Sequence, residues 1–355
     1  MDRYMSKLNV LVFFGGCSSE YEVSLESACA VIEHLDPGKY RALPLGITMD
    51  GRWLYFEGDP QKIRDNTWAN EKDAVPALLS PERVEHRLLL FPEPGAPAKS
   101  IPVDAALPVI HGKNGEDGTL QGLLELFGIP LAGCGTLSSA LCMDKERAHR
   151  LAALSGVRVP RSLSLSAGDS LSHALSFALE IGFPLYVKPV RSGSSYGITR
   201  VEKLEELSDA VSLAFHYDSQ VIVEENIEGF EVGCAVLGTN TLVTGELDEI
   251  ELSDGFFNYT EKYTLKTSAI HVPARINRET AARLKETAKI IYRALGCSCF
   301  ARVDMFLTPK GEIVFNEVNT IPGFTEHSRY PGMMKAAGYS FSQVLDQIIR
   351  LAVKS

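Results

Sequence analysis

Residues 301–323, ARVDMFLTPKGEIVFNEVNTIPG, decide how this chain is read. They spell two short strands, 301–307 and 312–319, joined at Thr308-Pro309-Lys310-Gly311, a run of turn formers. A turn closing symmetrically between Pro309 and Lys310 sets Arg302 opposite Glu317 and Asp304 opposite Phe315. Side chains alternate faces along a strand. Arg302, Asp304, Glu317 and Asn319 therefore share one face, and Val303, Met305, Val314 and Val318 form an ordinary core face. Two carboxylates and an amide beside a guanidinium make a poor hydrophobic core. They suit a hard cation, because Mg2+ takes oxygen ligands and is usually held by one or two carboxylates plus substrate phosphates. A cross-strand Arg302–Glu317 pair on a solvated face also fits the spacing, but it leaves Asp304 and Asn319 unaccounted for. The hairpin points to nucleotide chemistry with a metal.

Around it lies a chain of 355 residues, long enough for two or three domains. Its 45% hydrophobic and 23% charged content are those of a soluble globular protein. No apolar run is long enough to span a membrane, and MDRYMSKLNV lacks the apolar stretch of a signal peptide. A cytoplasmic protein without membrane contact is expected. The net charge of −10 argues against a nucleic-acid partner, though local basic spots still suit a nucleotide. The seven cysteines are odd in number, include no CxxC and sit mostly in apolar runs, as buried free thiols of a reducing cytosol do. The eight histidines show no metal-type pairing.

The chain opens with an apolar strand at 9–14, the small-residue turn Gly15-Gly16-Cys17-Ser18-Ser19 and an amphipathic helix over 24–34. A strand over 105–110 ends in His111-Gly112-Lys113-Asn114-Gly115-Glu116-Asp117-Gly118, followed by a helix over 119–127 and a strand over 129–132. This alternation predicts an α/β unit with a parallel sheet and helices on both faces. Its GxGxxG fingerprint is absent, which argues against a nicotinamide site. The proline-rich stretch 59–103 reads as a loosely packed excursion. Cys134-Gly135 marks a boundary. Beyond it come a helix over 136–155, a strand over 184–188, a Gly/Ser loop over 191–197, a helix over 203–215 and a strand over 220–225. After Glu228-Gly229 the chain turns strand-rich, with helices over 278–294 and 340–353. Three units follow: 1–134, 135–226 and 227–355. The segment 253–268, SDGFFNYTEKYTLKTS, mixes aromatics and charges without periodicity, as a lid would.

Several constellations could carry chemistry. Lys188 ends an apolar strand, and Arg191-Ser192-Gly193-Ser194-Ser195-Tyr196-Gly197 supplies small residues whose amides can approach an anion. A surface turn with a solvated lysine explains this stretch as well. Lys145 alone passes for a surface residue. Glu224 and Glu225 end a strand that leads through Gly229 to Glu231, and ribose hydroxyls need such carboxylate acceptors. Read in isolation, they are more often a charged strand end. Glu20 and His111 both fall at the carboxyl ends of strands in the first sheet, where a carboxylate could hold a substrate ammonium. A structural histidine fits the same place.

Taken in order, GGCSSEYEVSLES, HGKNGEDGTLQG, MDKERAHR, YVKPVRSGSSYGI, VEENIEGFEVG, YTEKYTL, ARVDMF and NEVNTIPGFTEHSRYP resemble the D-alanine:D-alanine ligase family of the ATP-grasp fold over residues 8–350. Within that family the chain looks closest to the vancomycin-resistance D-alanine:D-serine ligases of the G type. The resemblance implies an α/β (α+β) architecture, an ATP-grasp fold behind an N-terminal parallel-sheet α/β domain. It also implies a reaction in which the D-alanine carboxylate attacks the γ-phosphate of ATP. The amine of a second D-substrate then attacks the acyl phosphate, and phosphate leaves. By motif position, Glu20 would hold the first ammonium, with His111 beside that substrate. Lys145, Lys188, Ser194 and Ser195 would meet the nucleotide, and Glu224 and Glu231 its adenine and ribose. Asp304, Glu317 and Asn319 would ligate two Mg2+ ions, for which Mn2+ can substitute. Arg302 and the Gly323 N–H would stabilise the oxyanion. Ser194 and Tyr263, linked to Glu20, would orient the second amine, and Lys262 and Ser328 would bind the second carboxylate. The resemblance further implies a homodimer.

Two positions bear on the second substrate. Tyr263 resembles the dipeptide-forming ligases, whereas D-lactate-using members lack a tyrosine there. Arg329 stands where an apolar residue is usual, and a guanidinium could hydrogen-bond the hydroxyl of D-serine. Glu326, where a small residue is commoner, could pair with Arg329 and neutralise it. D-serine is favoured as second substrate, with D-alanine next.

Overall fold

The computed structural model describes residues 7–193, 196–252 and 268–354. Its first sheet is built from β1 (Leu8–Gly15), β2 (Tyr40–Ile47), β3 (Trp53–Tyr55), β4 (Val75–Leu79), β5 (Arg87–Leu90), β6 (Lys99–Pro102) and β7 (Ala105–Pro108), in the order β6-β5-β4-β3-β2-β1-β7. β1 runs parallel to both β2 and β7. Val10 to Phe14 are fully buried, which is why β1 reads as a continuous apolar run rather than an alternating one. From β2 to β6 the pairing is antiparallel. The expected parallel sheet is thus three strands wide. The stretch expected to be loosely packed extends it, burying Trp68, Ala77, Leu79, Leu88 and Leu90. Strands this short offer only two fully buried positions each, too few for a period to show in the sequence.

The second sheet, order β10-β9-β11-β8, comprises β8 (Ser162–Ser166), β9 (Leu185–Pro189), β10 (Thr199–Val201) and β11 (Gln220–Glu225), all antiparallel. Helices Leu171–Ile181 and Leu207–Ala214 close one face over Leu165, Val187, Val201 and Val223. The third sheet, order β14-β13-β12-β15-β16, comprises β12 (Phe230–Leu237), β13 (Val243–Leu252), β14 (Ser268–His271), β15 (Phe300–Leu307) and β16 (Ile313–Asn319). Helix Arg278–Ala294 buries Leu284, Ala288 and Ile291 against it. The side chain of Asn277 accepts from the Thr280 N–H and caps that helix. One apolar cluster joins the two ends of the chain, running from Val10, Val12 and Phe14 to Phe300, Phe324, Tyr330 and Ile348.

Two local features differ from expectation. The segment 136–155 is two helices, Thr136–Met143 and Lys145–Leu154, parted at Asp144. Asp144 is extended, and its carboxylate accepts from the Arg147 N–H at 2.9 Å, a cap that starts the second helix. Lys145 thereby becomes that helix's first residue. The hairpin register also differs. Thr308 N donates to Glu312 O at 3.0 Å and Gly311 adopts φ +77°, so the turn closes around three residues rather than two. The pairing then slips between Asp304 and Met305, where Glu317 faces Asp304 and Phe315 faces Met305, leaving Asn316 as an extra residue on β16. Arg302 consequently lies opposite Asn319, not Glu317.

Among the described residues no helix is long and apolar enough to cross a membrane. All seven cysteines are free, and all but Cys17 are buried.

Candidate active site

Two cavities meet in the middle of the molecule. The larger, about 500 Å³, lies between the second and third sheets and is lined by Lys145, Lys188, Glu224, Glu231, Asn316 and Glu317, with Ile227, Phe230, Ile250 and Phe306 as apolar walls. The smaller, about 280 Å³, is lined by Glu20, His111, Arg302, Gly323, Ser328 and Arg329. Lys145, Ser192 and Glu317 border both. A ligand filling the first can therefore present one end to the second.

In the larger cavity Lys188 Nζ lies 2.5 Å from Glu224 Oε1, on adjacent strands of the second sheet. Burial would raise the Glu224 carboxyl, but Lys188 and then His149 outweigh it and hold the group below its ordinary value. Lys145 Nζ donates to the Ser192 carbonyl at 2.7 Å, placing a second ammonium at the passage between the cavities. Two cations, one of them at the junction with the smaller cavity, and apolar walls in the same cavity match a molecule with a phosphate tail and a flat base.

In the smaller cavity, Glu20 sits in the turn after β1. Gly112 approaches it so closely, at φ +71°, that a Cβ there would lie 2.3 Å from Glu20 Oε2. Both ring nitrogens of His111 are engaged, Nδ1 by the Ile321 carbonyl at 2.9 Å and Nε2 by Ser27 Oγ at 3.0 Å. Nδ1–H therefore donates, Nε2 accepts, and burial holds the ring neutral with a pKa of about 4. His111 thus ties the loop after β7 to the 320–323 segment. Ser328 Oγ accepts from Thr325 N at 3.0 Å and borders Gly323.

Glu116 was not singled out by its residue type or spacing. It is half-buried, and accepts from Gly112 N at 2.8 Å and Ile321 N at 3.2 Å. Burial, then the Glu20 charge, push its carboxyl up to about 8, with the two amides opposing. A folded pKa above the ordinary 4.5 favours the protonated fold, so this contribution to stability is complete below about pH 4.5 and is lost as pH rises through about 8. Stability of the native chain should fall more steeply between pH 5 and 8 than that of Glu116→Gln, measured by urea unfolding at each pH. Equal slopes would contradict this assignment.

The hairpin carries the oxygen donors. Arg302 Nε donates to Asp304 Oδ1 at 2.9 Å and Nη2 to Oδ2 at 2.8 Å, while Asn319 Nδ2 reaches Asp304 Oδ2 at 3.0 Å. Glu317 faces Asp304 across the strands and opens on both cavities. Two carboxylates and a neighbouring amide are an oxygen-only set that fits a hard cation. Among the described residues no cluster of three or more His, Cys, Asp or Glu side chains forms a metal site unaided, so substrate phosphates would have to complete the coordination.

Arg329 is not paired with Glu326. Glu326 is exposed and accepts from His34 Nε2 at 3.1 Å, whereas Arg329 opens a helix, Arg329–Ala336, and turns inward. Its Nε and Nη2 fork onto Asp248 at 2.7 and 2.8 Å, Nη1 donates to Glu231 Oε1 at 2.7 Å, and Nη2 lies 3.3 Å from Asp304 Oδ1. Burial opposes the charge, yet these carboxylates keep the guanidinium well above its ordinary value. Asp248, wholly buried, lies 81 residues away in sequence, and nothing local marks it. Glu231 is thus shared between Arg329 and the larger cavity. Ser194, Ser195, Lys262 and Tyr263 lie outside the described residues.

This geometry has close counterparts. The D-ala D-ala ligase N-terminus family model matches residues 9–134, and the D-ala D-ala ligase C-terminus model residues 156–350. The crystal structure of VanG D-Ala:D-Ser ligase from Enterococcus faecalis superposes with a TM-score of 0.90 at 54% identity, covering 98% of this chain and 100% of that one. Vancomycin B-type resistance protein VanB of Enterococcus faecalis is 44% identical over 99% of this chain and 100% of its own length. A D-alanine–D-alanine ligase of Caldicellulosiruptor bescii is 40% identical over 99% of this chain and 96% of its own. A ligase of ATP-grasp fold is the result, and the chain belongs to the D-alanine–D-alanine ligase family.

Proposed function

We propose that this ligase uses ATP to join D-alanine to a second D-amino acid, D-serine in preference to D-alanine, making the dipeptide end of a cytoplasmic peptidoglycan precursor. The observation that carries the reading is the junction of the two cavities at Lys145, Ser192 and Glu317, which brings a phosphate tail beside a small zwitterion pocket. Lys145 and Lys188 hold the phosphates, and Glu20 takes the first ammonium. Arg302 and the Gly323 N–H receive charge that develops on the acyl oxygen, with preorganised donors of this kind worth about 3–4 kcal/mol each. Asp304, Glu317 and Asn319 would hold Mg2+, which neutralises charge between the phosphates when bound. Two ions, a homodimer and the division into units 1–134, 135–226 and 227–355 belong to the same reading.

D-serine is favoured because Arg329 lines the substrate cavity, and its contacts with carboxylates leave an Nη1 hydrogen for a substrate hydroxyl. A site built around such a bond discriminates strongly. The same carboxylate contacts favour a second reading, a plain D-alanine:D-alanine ligase in which Arg329 is structural. Phosphate release should depend on ATP, Mg2+ and D-alanine, and D-serine should stimulate it. With D-alanine, D-serine and D-lactate in competition, D-alanyl-D-serine should dominate at neutral pH. A dominant D-alanyl-D-alanine product would select the second reading, and no stimulation by any D-amino acid would remove both.

A further inference from the structure

His149 lies on helix Lys145–Leu154 one turn beyond Lys145, so the two project from one face. It is buried against the ring of Phe315 at 5.4 Å between centroids. Its Nε2 lies 2.8 Å from the carbonyl oxygen of Asn316. A carbonyl only accepts, so Nε2 carries the proton. Asn316 is the extra residue of the bulge on β16, and β16 is the edge strand of its sheet. A bulged residue is left outside the ladder, so its backbone groups need a partner from elsewhere. His149 supplies that partner, next to Glu317. On the other side of the ring, Nδ1 lies 3.8 Å from Glu224 Oε2. Both atoms are buried without a hydrogen-bond partner. Glu224 in turn holds Lys188.

We propose that His149 is a positioning residue that pins the Asn316 bulge, and so the orientation of Glu317, to the helix that begins at Lys145. This rests on the reading of Glu317 as a metal ligand and of Lys145 as a phosphate contact.

The variants separate the two ends of the ring. His149→Gln can place its amide nitrogen near the Nε2 position and keep the donor to Asn316. His149→Asn can mimic only Nδ1, and His149→Phe keeps the packing and loses both. Mg2+-dependent ADP binding, by calorimetry without amino-acid substrates, is measured beside the Mg2+ concentration for half-maximal phosphate release. Loss of an outer-shell partner typically costs 10–100-fold in metal affinity. The Phe and Asn variants should weaken both quantities by about 10-fold, while Gln stays within about 3-fold of the native chain. Should the Phe variant not fold, Gln against Asn decides. If Gln and Asn are equally impaired, or both bind as the native chain does, the proposal is overturned. Failure of the native chain itself to bind Mg2+–ADP would overturn the functional reading along with it, whereas native binding with indifferent variants removes only the role of His149.

Discussion

Glu317→Gln is expected to lower D-alanine-dependent phosphate release by about 10²–10³-fold while the protein stays folded. Glutamine keeps the shape of the side chain and one carbonyl oxygen, but it removes the negative charge that a hard cation needs. Glu317 is half-buried and borders both cavities, so the loss falls where phosphate and acyl groups must meet. Phosphate release with ATP, Mg2+ and D-alanine, together with a thermal melt of the same sample, is the measurement. Turnover within tenfold of the native chain would remove Glu317 from the metal site. Asp304→Asn should act in the same direction with a larger cost to folding, because Asp304 also balances Arg302 and Arg329.

Arg329→Met should destabilise the fold by about 3–5 kcal/mol, the usual cost of removing one partner of a buried ion pair. Asp248 is 0% exposed and would keep only the Gly233 N–H at 2.8 Å, while Glu231 would lose its 2.7 Å contact. Methionine fills the volume, so the loss reports uncompensated charge rather than a void. Adding Asp248→Asn to that variant should recover part of the stability, since one unpaired carboxylate is then neutral. Arg329→Lys should be intermediate, because an ammonium keeps the charge but cannot fork onto Asp248 while reaching Glu231. Urea unfolding of the set checks this. A single-variant change below about 1 kcal/mol would show that the cluster is not held by its charges.

Much of the framework was legible along the chain. Helices Thr119–Phe127 and Arg278–Ala294 match the segments their apolar spacing predicts, and β11 matches its run of branched residues. These elements announce themselves because their signals are local. The break at Asp144 was also readable in principle, since aspartate is a favoured cap. β4, β5 and β6 were not, because such short strands acquire meaning only from the sheet they extend.

The candidate site divides in the same way. The amino-acid sequence by itself determined that Arg302 and Asp304 share one face of their strand, and Glu317 and Asn319 one face of theirs, because alternation along a strand depends only on parity. It took the Asn316 bulge to bring the two pairs to the same face after a three-residue turn. The sequence also determined that the motif order is that of the D-alanine–D-alanine ligases. Only the tertiary structure decided which of those four stand opposite one another, through the left-handed Gly311 turn and the Asn316 bulge. It alone gave Arg329 to Asp248 and Glu231, Glu326 to His34, and the bulge carbonyl to His149. These partners lie far apart along the chain. A buried charge is satisfied by whatever the folded sheets bring within hydrogen-bond reach, and no local pattern records that.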